Sequence, residues 1–262
     1  MKRPRSSVDE RRLEILKKIQ AQDEIKVEQL AEEFGLSLMT VRRDLQFLES
    51  RQLITRFYGG ATARLTSRPL TEAEEIQMYR QRIAQFATRF ISSGDTLFIN
   101  GSKTALDALN YLQVSGVHVI TNNGAAIGRK YPPGITVTLT GGEPRDHVMV
   151  GDYVMRNLLN MTANKTFIGC AAITAQGEFC YNIPMEIGIN EAMISRTTQG
   201  LYILADHTKL QKTASTENRY GSCIYEGHWT LITDEKVDPE IVAELRAMGK
   251  HVYVVGIDDI IT

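Results

Sequence analysis

No apolar run in the 262 residues approaches the roughly 18–20 that a membrane-spanning helix requires, so the chain is expected to have no membrane partner. The basic start Met1-Lys2-Arg3-Pro4-Arg5 leads into charged residues rather than an apolar stretch, and does not read as a secretory signal. Cysteine is scarce. Cys170, Cys180 and Cys223 are odd in number and contain no Cys-x-x-Cys pair, which suits neither a disulfide framework nor a zinc site. These absences make the cytoplasm the expected compartment, with no metal and no other cofactor. What is present is ordinary for a globular protein: 43% hydrophobic and 23% charged residues, enough to bury a sizeable core.

The net charge of −1 hides an asymmetry. Residues 1–68 hold 14 Lys/Arg against 10 Asp/Glu, a balance of +4, and the remainder carries −5. A basic small segment joined to an acidic large one suggests that only the first meets a polyanion. That matters only if the same segment has a shape that reads nucleic acid.

It has the pattern of one. Leu13, Leu16 and Ile19 recur at helical spacing in Asp9–Gln20, with Ile15 on the same side. A second helix fits Val27–Phe34 and ends at Gly35, where the chain can turn left-handed. Ser37 can cap a third helix, whose buried face is Val41, Leu45 and Leu48 and whose other face shows Met39, Thr40, Arg42, Arg43 and Gln46. Leu53–Tyr58 reads as a strand, Gly59-Gly60 as a tight turn and Ala61–Arg64 as the return, the wing of a winged helix-turn-helix. The major groove admits one helix, phosphates require cations, and base edges require donors such as Arg. The candidate DNA contacts are therefore Ser37, Met39, Thr40, Arg42, Arg43, Arg56, Tyr58, Gly59 and Gly60, with Arg64 near the wing. Arg42 and Arg43 point about 100° apart. One can read bases while the other holds a phosphate or pairs with Asp44 or Glu49.

The stretch around Ser67, Arg68 and Pro69 has no apolar period. The expected division is a DNA-binding domain over 1–64, a linker over 65–75 and an effector-sensing domain over 76–262. A long helix fits Glu72–Ser92. Beyond it, strands at Leu97–Ile99, His118–Thr121, Thr136–Thr140, Thr166–Ile168, Tyr202–Ala205, Thr230–Thr233 and His251–Val255 alternate with helices. Those helices fall at Thr104–Leu112, Ala125–Lys130, Val150–Met161, Glu186–Thr198 and Pro239–Met248. The fold class is α/β, a winged helix-turn-helix followed by a mostly parallel sheet with both faces covered.

Strand after strand ends in small or hydrogen-bonding residues: Asn100-Gly101-Ser102-Lys103-Thr104, Thr121-Asn122-Asn123, Gly141-Gly142, Gly169, Asp206 to Lys209, and Thr233-Asp234. Ligands of open α/β sheets bind beyond such ends. The Asn100–Thr104 turn offers backbone N–H groups to an anion, Lys103 and Lys209 add cations, and Asn122 and Asp206 can address hydroxyls. Lys165 and Asp234 are weaker candidates. Singly, each has a structural explanation as a turn, cap or salt bridge; Cys170, Cys180 and His207 read as structural. Their convergence suits a phosphorylated sugar.

Ser37-Leu38-Met39-Thr40-Val41-Arg42-Arg43-Asp44-Leu45, with Leu53-Ile54-Thr55-Arg56 and Tyr58-Gly59-Gly60-Ala61, resembles the DeoR family of bacterial regulators. That family carries a Thr-apolar-Arg-Arg-Asp-Leu core and a Gly-Gly-Ala wing. Tyr58 stands where the family commonly has His, and Arg51-Gln52 replaces a glycine-containing turn. The resemblance covers nearly the whole chain. It implies a sensor domain similar to ribose-5-phosphate isomerase and coenzyme-A transferase, binding phosphorylated sugars. The family's acidic-Ser-Gly-Thr-Thr loop matches Asn100 to Thr104, its Thr-Asn-Ser Thr121 to Asn123, its Gly-Gly-x-x-Arg Gly141 to Arg145, and its Ala-Asp-x-x-Lys Ala205 to Lys209. Asn100 and Asn164 stand where the family commonly has acidic residues, Asn164 just before the Lys165 to Gly169 run. An isomerase needs a carboxylate to move a proton between carbons, which an amide cannot do, although Glu186 remains.

The expected function is thus a DNA-binding transcription regulator, a repressor of a sugar or related carbon catabolic operon, controlled by a phosphorylated metabolite. It is expected to meet a double-stranded operator as a homodimer or homotetramer. The alternative is a sugar-phosphate isomerase-like enzyme carrying a helix-turn-helix.

Overall fold

In a computed structural model of the chain, the described residues are 5–22, 24–50, 53–57, 59–63, 71–212 and 221–257. Tyr58, Arg64 and the linker residues Ser67, Arg68 and Pro69 lie outside them. Two compact units divide the chain, Met1–Thr71 and Glu72–Ile261. Among the described residues, no helix is long and apolar enough to cross a membrane.

In the first unit the apolar periods become α1 (Arg5–Ala21), α2 (Val27–Glu33) and α3 (Leu38–Ser50), with short strands β1 (Ile25–Lys26), β2 (Ile54–Phe57) and β3 (Gly60–Ala63). Ile15, Leu16, Ile19, Leu30, Val41, Leu45 and Leu48 close one core, and Ile25, Ile54 and Ala61 bring the antiparallel β1-β3-β2 sheet onto it. Ser37 caps α3 as expected: its Oγ accepts from the Thr40 N–H at 3.2 Å. The wing turn is tighter than the sequence suggests, because Gly60 already belongs to β3, paired with Phe57 and Lys26. A Cβ there would stand 2.3 Å from the Phe57 ring and 2.6 Å from the Ile25 carbonyl, so only glycine lets the strands close.

Asp44 is the charged residue inside this unit. It is 1% exposed, and its carboxylate accepts from Arg11 Nε at 2.8 Å and Arg12 Nε at 2.9 Å, tying α1 to α3. The pairing foreseen between Asp44 and Arg42 or Arg43 is thereby replaced, since the partners come from α1. Glu49 likewise turns to Arg56, accepting its backbone N–H at 3.3 Å.

The second unit opens with α4 (Glu72–Ala87) and continues through β4 (Thr96–Ile99), α5 (Lys103–Asp107), β5 (Val117–Thr121), β6 (Ile135–Leu139), β7 (Glu143–Arg145), β8 (Val148–Val150) and α6 (Asp152–Leu159). Then come β9 (Ala163–Ile168), β10 (Ala172–Thr174), β11 (Glu178–Tyr181), α7 (Met185–Ser195), β12 (Thr197–Leu204), β13 (Leu210–Gln211), β14 (Gly221–Ile224), β15 (Thr230–Asp234), α8 (Pro239–Ala247) and β16 (His251–Val255). The strands expected from sequence form one sheet in the order β16-β15-β12-β9-β4-β5-β6, and each adjacent pair is parallel. Leu97 and Ile99 enter the core under α4 and α5, while Phe98 between them enters the core under α6 and α7. The central strands are thus covered on both faces.

Three features depart from the sequence reading. The helix expected over Ala125–Lys130 is a single 3-10 turn, Gly124–Ala126, because the chain turns left-handed at Gly128. A second sheet, β13-β10-β11-β14, and the antiparallel β7–β8 hairpin were not expected. Their strands are two to four residues long, too short to show an alternation.

The loops after β4 and β9 are clipped together by one amide. Asn100 Oδ1 accepts from the backbone N–H of Ser102 at 3.1 Å and of Gly169 at 3.0 Å. Two backbone donors fix which end of the amide is oxygen. Nδ2 then donates to the Gly169 carbonyl at 2.9 Å and to Asn190 Oδ1 on α7 at 3.0 Å.

Two stability outcomes are expected. Asp44→Ala should cost the first unit about 2–3 kcal/mol, read as faster hydrogen exchange of the α1 and α3 amides; unchanged exchange would contradict the clamp. Asn100→Asp would set a second oxygen against two acceptors, so the buried carboxyl would have to keep its proton. Its folded pKa would lie above the ~3.9 of the unfolded chain, and stability would fall as pH rises through the window between the two. Urea unfolding should place this variant nearest wild type at pH 4 and about 2–4 kcal/mol below it at pH 8. A difference independent of pH would refute the orientation.

Candidate functional site

On the first unit, α3 turns Met39, Arg42, Arg43 and Gln46 outward, all exposed. Arg42 and Arg43 have no ion-pair partner among the described residues, unlike Arg11, Arg12 and Arg56, which are held by Asp44 and Glu49. Thr40 is engaged in the cap, its Oγ1 2.9 Å from Ser37 Oγ, so it and Ser37 shape the first turn. Gly59 and Gly60 shape the wing, and Arg56 stands on β2 beside them, partly exposed.

On the second unit, a cavity of about 730 Å3 opens beyond the ends of β4 and β9. Asn100, Gly101, Ser102, Lys103 and Thr104 line it, together with Gly169, Glu186 and Lys209. These expected residues, far apart along the chain, do come together. Lys103 is paired with Asp107 at 2.6 Å, while Lys209 Nζ donates to the Cys170 carbonyl at 2.9 Å.

The remaining expected residues stand behind the wall or away from it. Thr121 Oγ1 accepts from the Asn123 N–H at 3.0 Å; Asn123 caps the next turn through Ala125 and donates to the Ser102 carbonyl at 3.3 Å. Asn122 Nδ2 donates to the Met149 carbonyl at 3.0 Å instead of addressing a hydroxyl. Gly141 and Gly142 turn the chain into the β7–β8 hairpin, both at positive φ, and a Cβ on Gly142 would be 2.4 Å from Val154. Arg145 is exposed on β7, with Glu143 at 3.9 Å. Lys165 is a clear correction. It lies near the amino end of β9, in register with Leu97, and bonds Asp95 at 2.6 Å, at the opposite end of the strands from the cavity. Asp234 holds the His207 N–H and ring, both at 2.8 Å, and His207 is structural as expected.

Asp206 plays a different part from the one foreseen. Its side chain is buried and accepts from the Thr208 N–H and hydroxyl and from Arg80 Nε at 2.7 Å. Burial works to raise its pKa, but the bonds from Thr208 and Arg80 outweigh it and hold it below the usual carboxylate value. Asp206 therefore positions Arg80, which lines the cavity with Gln77 of the same helix. Sequence reading missed both, because polar residues at these places on an amphipathic helix look like a solvated face. It also missed Asp146 and His147 on the β7–β8 turn, where His147 reaches the Asp146 carboxylate at 2.7 Å and the Gly101 carbonyl at 3.1 Å.

Among the described residues the Glu186 carboxylate has no hydrogen-bond or ion-pair partner: burial raises its pKa, and His147 and Lys209 only partly offset that. Cys170 and Cys180, read from sequence as structural, line the cavity and are buried. Burial pushes the Cys170 thiol up to about 12, so it stays protonated and unreactive. The wall thus combines the Asn100–Thr104 turn, Arg80 and Lys209 with hydrogen-bonding side chains, a setting for an anion carrying hydroxyls.

Comparison with known proteins identifies both units. Residues 11–66 match the family model of the DeoR-like helix-turn-helix domain, and residues 76–235 match that of the DeoR C-terminal sensor domain. The transcriptional regulator YulB of Bacillus subtilis (strain 168) is 28% identical, over 91% of this chain and 93% of its own. The lactose phosphotransferase system repressor of Lactococcus lactis is 29% identical, over 89% and 94%. The glycerol-3-phosphate regulon repressor of Escherichia coli (strain K12) is 28% identical, over 76% and 82%. Among solved structures, ribose 5-phosphate isomerase A of Methanocaldococcus jannaschii aligns with a TM-score of 0.39 at 13% identity, covering 54% of this chain and 57% of that one. With both family models matched in order along its length, this chain belongs to the DeoR family of DNA-binding transcription regulators.

Proposed function

We propose that this protein represses transcription by seating α3 in the major groove of an operator, and that a phosphorylated sugar in the second unit's cavity controls it. The observation that carries the proposal is the pairing of two cationic surfaces with different purposes. Arg42 and Arg43 are exposed and take no ion-pair partner among the described residues, as phosphate or base contacts must. Arg80 is instead held at a cavity wall by a buried carboxylate, as a preorganised receptor for one anion must be.

Ser37, Met39, Thr40, Arg42, Arg43, Arg56, Tyr58, Gly59 and Gly60 form the DNA-facing set, with Ser37, Thr40 and the glycines acting through backbone shape. Asn100 to Thr104, Arg80 and Lys209 hold the phosphate, and Glu186 meets a sugar hydroxyl. Thr121, Asn122, Asn123, Gly141, Gly142 and Asp206 keep that wall in place. Several DeoR-type relatives bear names of sugar- or glycerol-phosphate systems, which supports this effector class. The protein acts as a homodimer or homotetramer, so that two α3 helices meet half-sites about one helical turn apart, roughly 34 Å. Coupling needs the effector to favour one state of the protein by about 1–3 kcal/mol.

Three outcomes test the proposal. Arg42→Ala should weaken operator binding in gel shifts and reduce the slope of log affinity against log salt by about one. An unchanged slope would remove the phosphate contact. Ribose 5-phosphate, fructose 1-phosphate, fructose 6-phosphate, tagatose 6-phosphate and glycerol 3-phosphate, tested singly, should include one that raises the wild-type melting temperature and releases operator DNA. Arg80→Gln should weaken its binding by about tenfold or more, the loss of a charge-assisted hydrogen bond. Retention of wild-type affinity would exclude Arg80 from the site.

A further inference from the structure

The outward face of α3 carries one group that does not belong with the others. Arg42, Arg43 and Gln46 are hydrogen-bond donors suited to phosphates and base edges. Met39 sits among them and is 59% exposed. At about 100° per residue it lies roughly 20° from Gln46 and 40° from Arg43 around the helix, in the middle of the face. It takes no part in the apolar core of its unit, which Val41, Leu45 and Leu48 close from the other side of the helix. Leu38, 43% exposed, stands about 100° round at the margin. The first turn of α3 is held by the Ser37–Thr40 cap, so the Met39 backbone is fixed where the helix enters a groove.

The major-groove edges of the four base pairs offer donors, acceptors and one apolar group, the 5-methyl of thymine. An unbranched thioether side chain is flexible enough to close over a methyl without demanding one geometry. We infer that Met39 is a specificity-determining residue that reads a thymine in the operator through its 5-methyl group. The inference rests on the DNA-binding reading above and adds to it a base identity and the atom that is read. Arg42 and Arg43 supply binding that is strong but, toward phosphates, indifferent to sequence. Met39 adds discrimination by removing one methyl from water when the right base is present.

The test begins with the full-length protein selecting duplexes from a randomised DNA library at fixed salt. Each thymine of the selected site is then replaced singly by uracil, which removes the methyl and leaves the pairing and groove hydrogen-bonding groups unchanged. Burial of one methyl predicts that, at one thymine position, uracil weakens wild-type binding about fourfold. The Met39→Ala protein should bind the thymine and uracil forms of that site equally. Met39→Leu, which keeps an apolar side chain, should retain the discrimination. Met39 is exposed, so these variants keep the folded unit, and circular dichroism checks that they do. If no uracil substitution matters to wild type, or if the methyl effect survives in Met39→Ala, the inference is overturned while DNA binding stands. If the library yields no selected site at all, both the DNA-binding reading and this inference fall.

Discussion

A single buried amide organises the sensor half of this protein. Asn100 directly follows β4, and its side chain joins the β4 exit, the β9 exit and helix α7 through four hydrogen bonds. Parallel strands are connected over long stretches of chain, so their ends have no local reason to meet at a defined spacing. The Asn100 clip supplies that reason. It sets Ser102 and Gly169 at fixed separation, and the cavity wall is built outward from there. A carboxylate at this place could accept but not donate, and could not bridge the same groups at neutral pH.

The two units solve a common problem by similar means. Each holds a functional arginine or its neighbourhood with a buried acidic residue on another element. Asp44 on α3 takes Arg11 and Arg12 of α1, which leaves Arg42 and Arg43 to face outward. Asp206 after β12 takes Nε of Arg80 on α4, which lines the cavity. In both places the acid acts as a support for arginines on another element. Buried ion pairs of this kind add little net stability, but they fix geometry.

Much of this was legible in the residues. The α3 cap at Ser37, the left-handed exit at Gly35 and the seven long strands follow from local rules of spacing, capping and burial. The turn Asn100–Thr104 and Lys209 could be expected together at a cavity because they follow strand ends, the place where open parallel sheets leave a crevice. Lys165 was misplaced for the same reason that the others were found: it lies close to a strand, and sequence position alone did not say which end of the strand it occupies. Arg80 and His147 were missed because their local patterns, an amphipathic helix and a short turn, are those of ordinary surface.

By itself the sequence determined the seven strands of the main sheet, the two-part organisation and the family. Those properties depend on interactions between residues a few positions apart, where periodicity and turn chemistry act. The tertiary structure alone decided which polar side chains face the cavity and which are absorbed in holding it. Asn122, Asp206 and Lys165 look alike as candidates until their partners Met149, Arg80 and Asp95 are known. Those partners lie 27, 126 and 70 residues away. Each polar side chain has only a few bonds to give, and which of them are already engaged can be read only from what folding brings beside it.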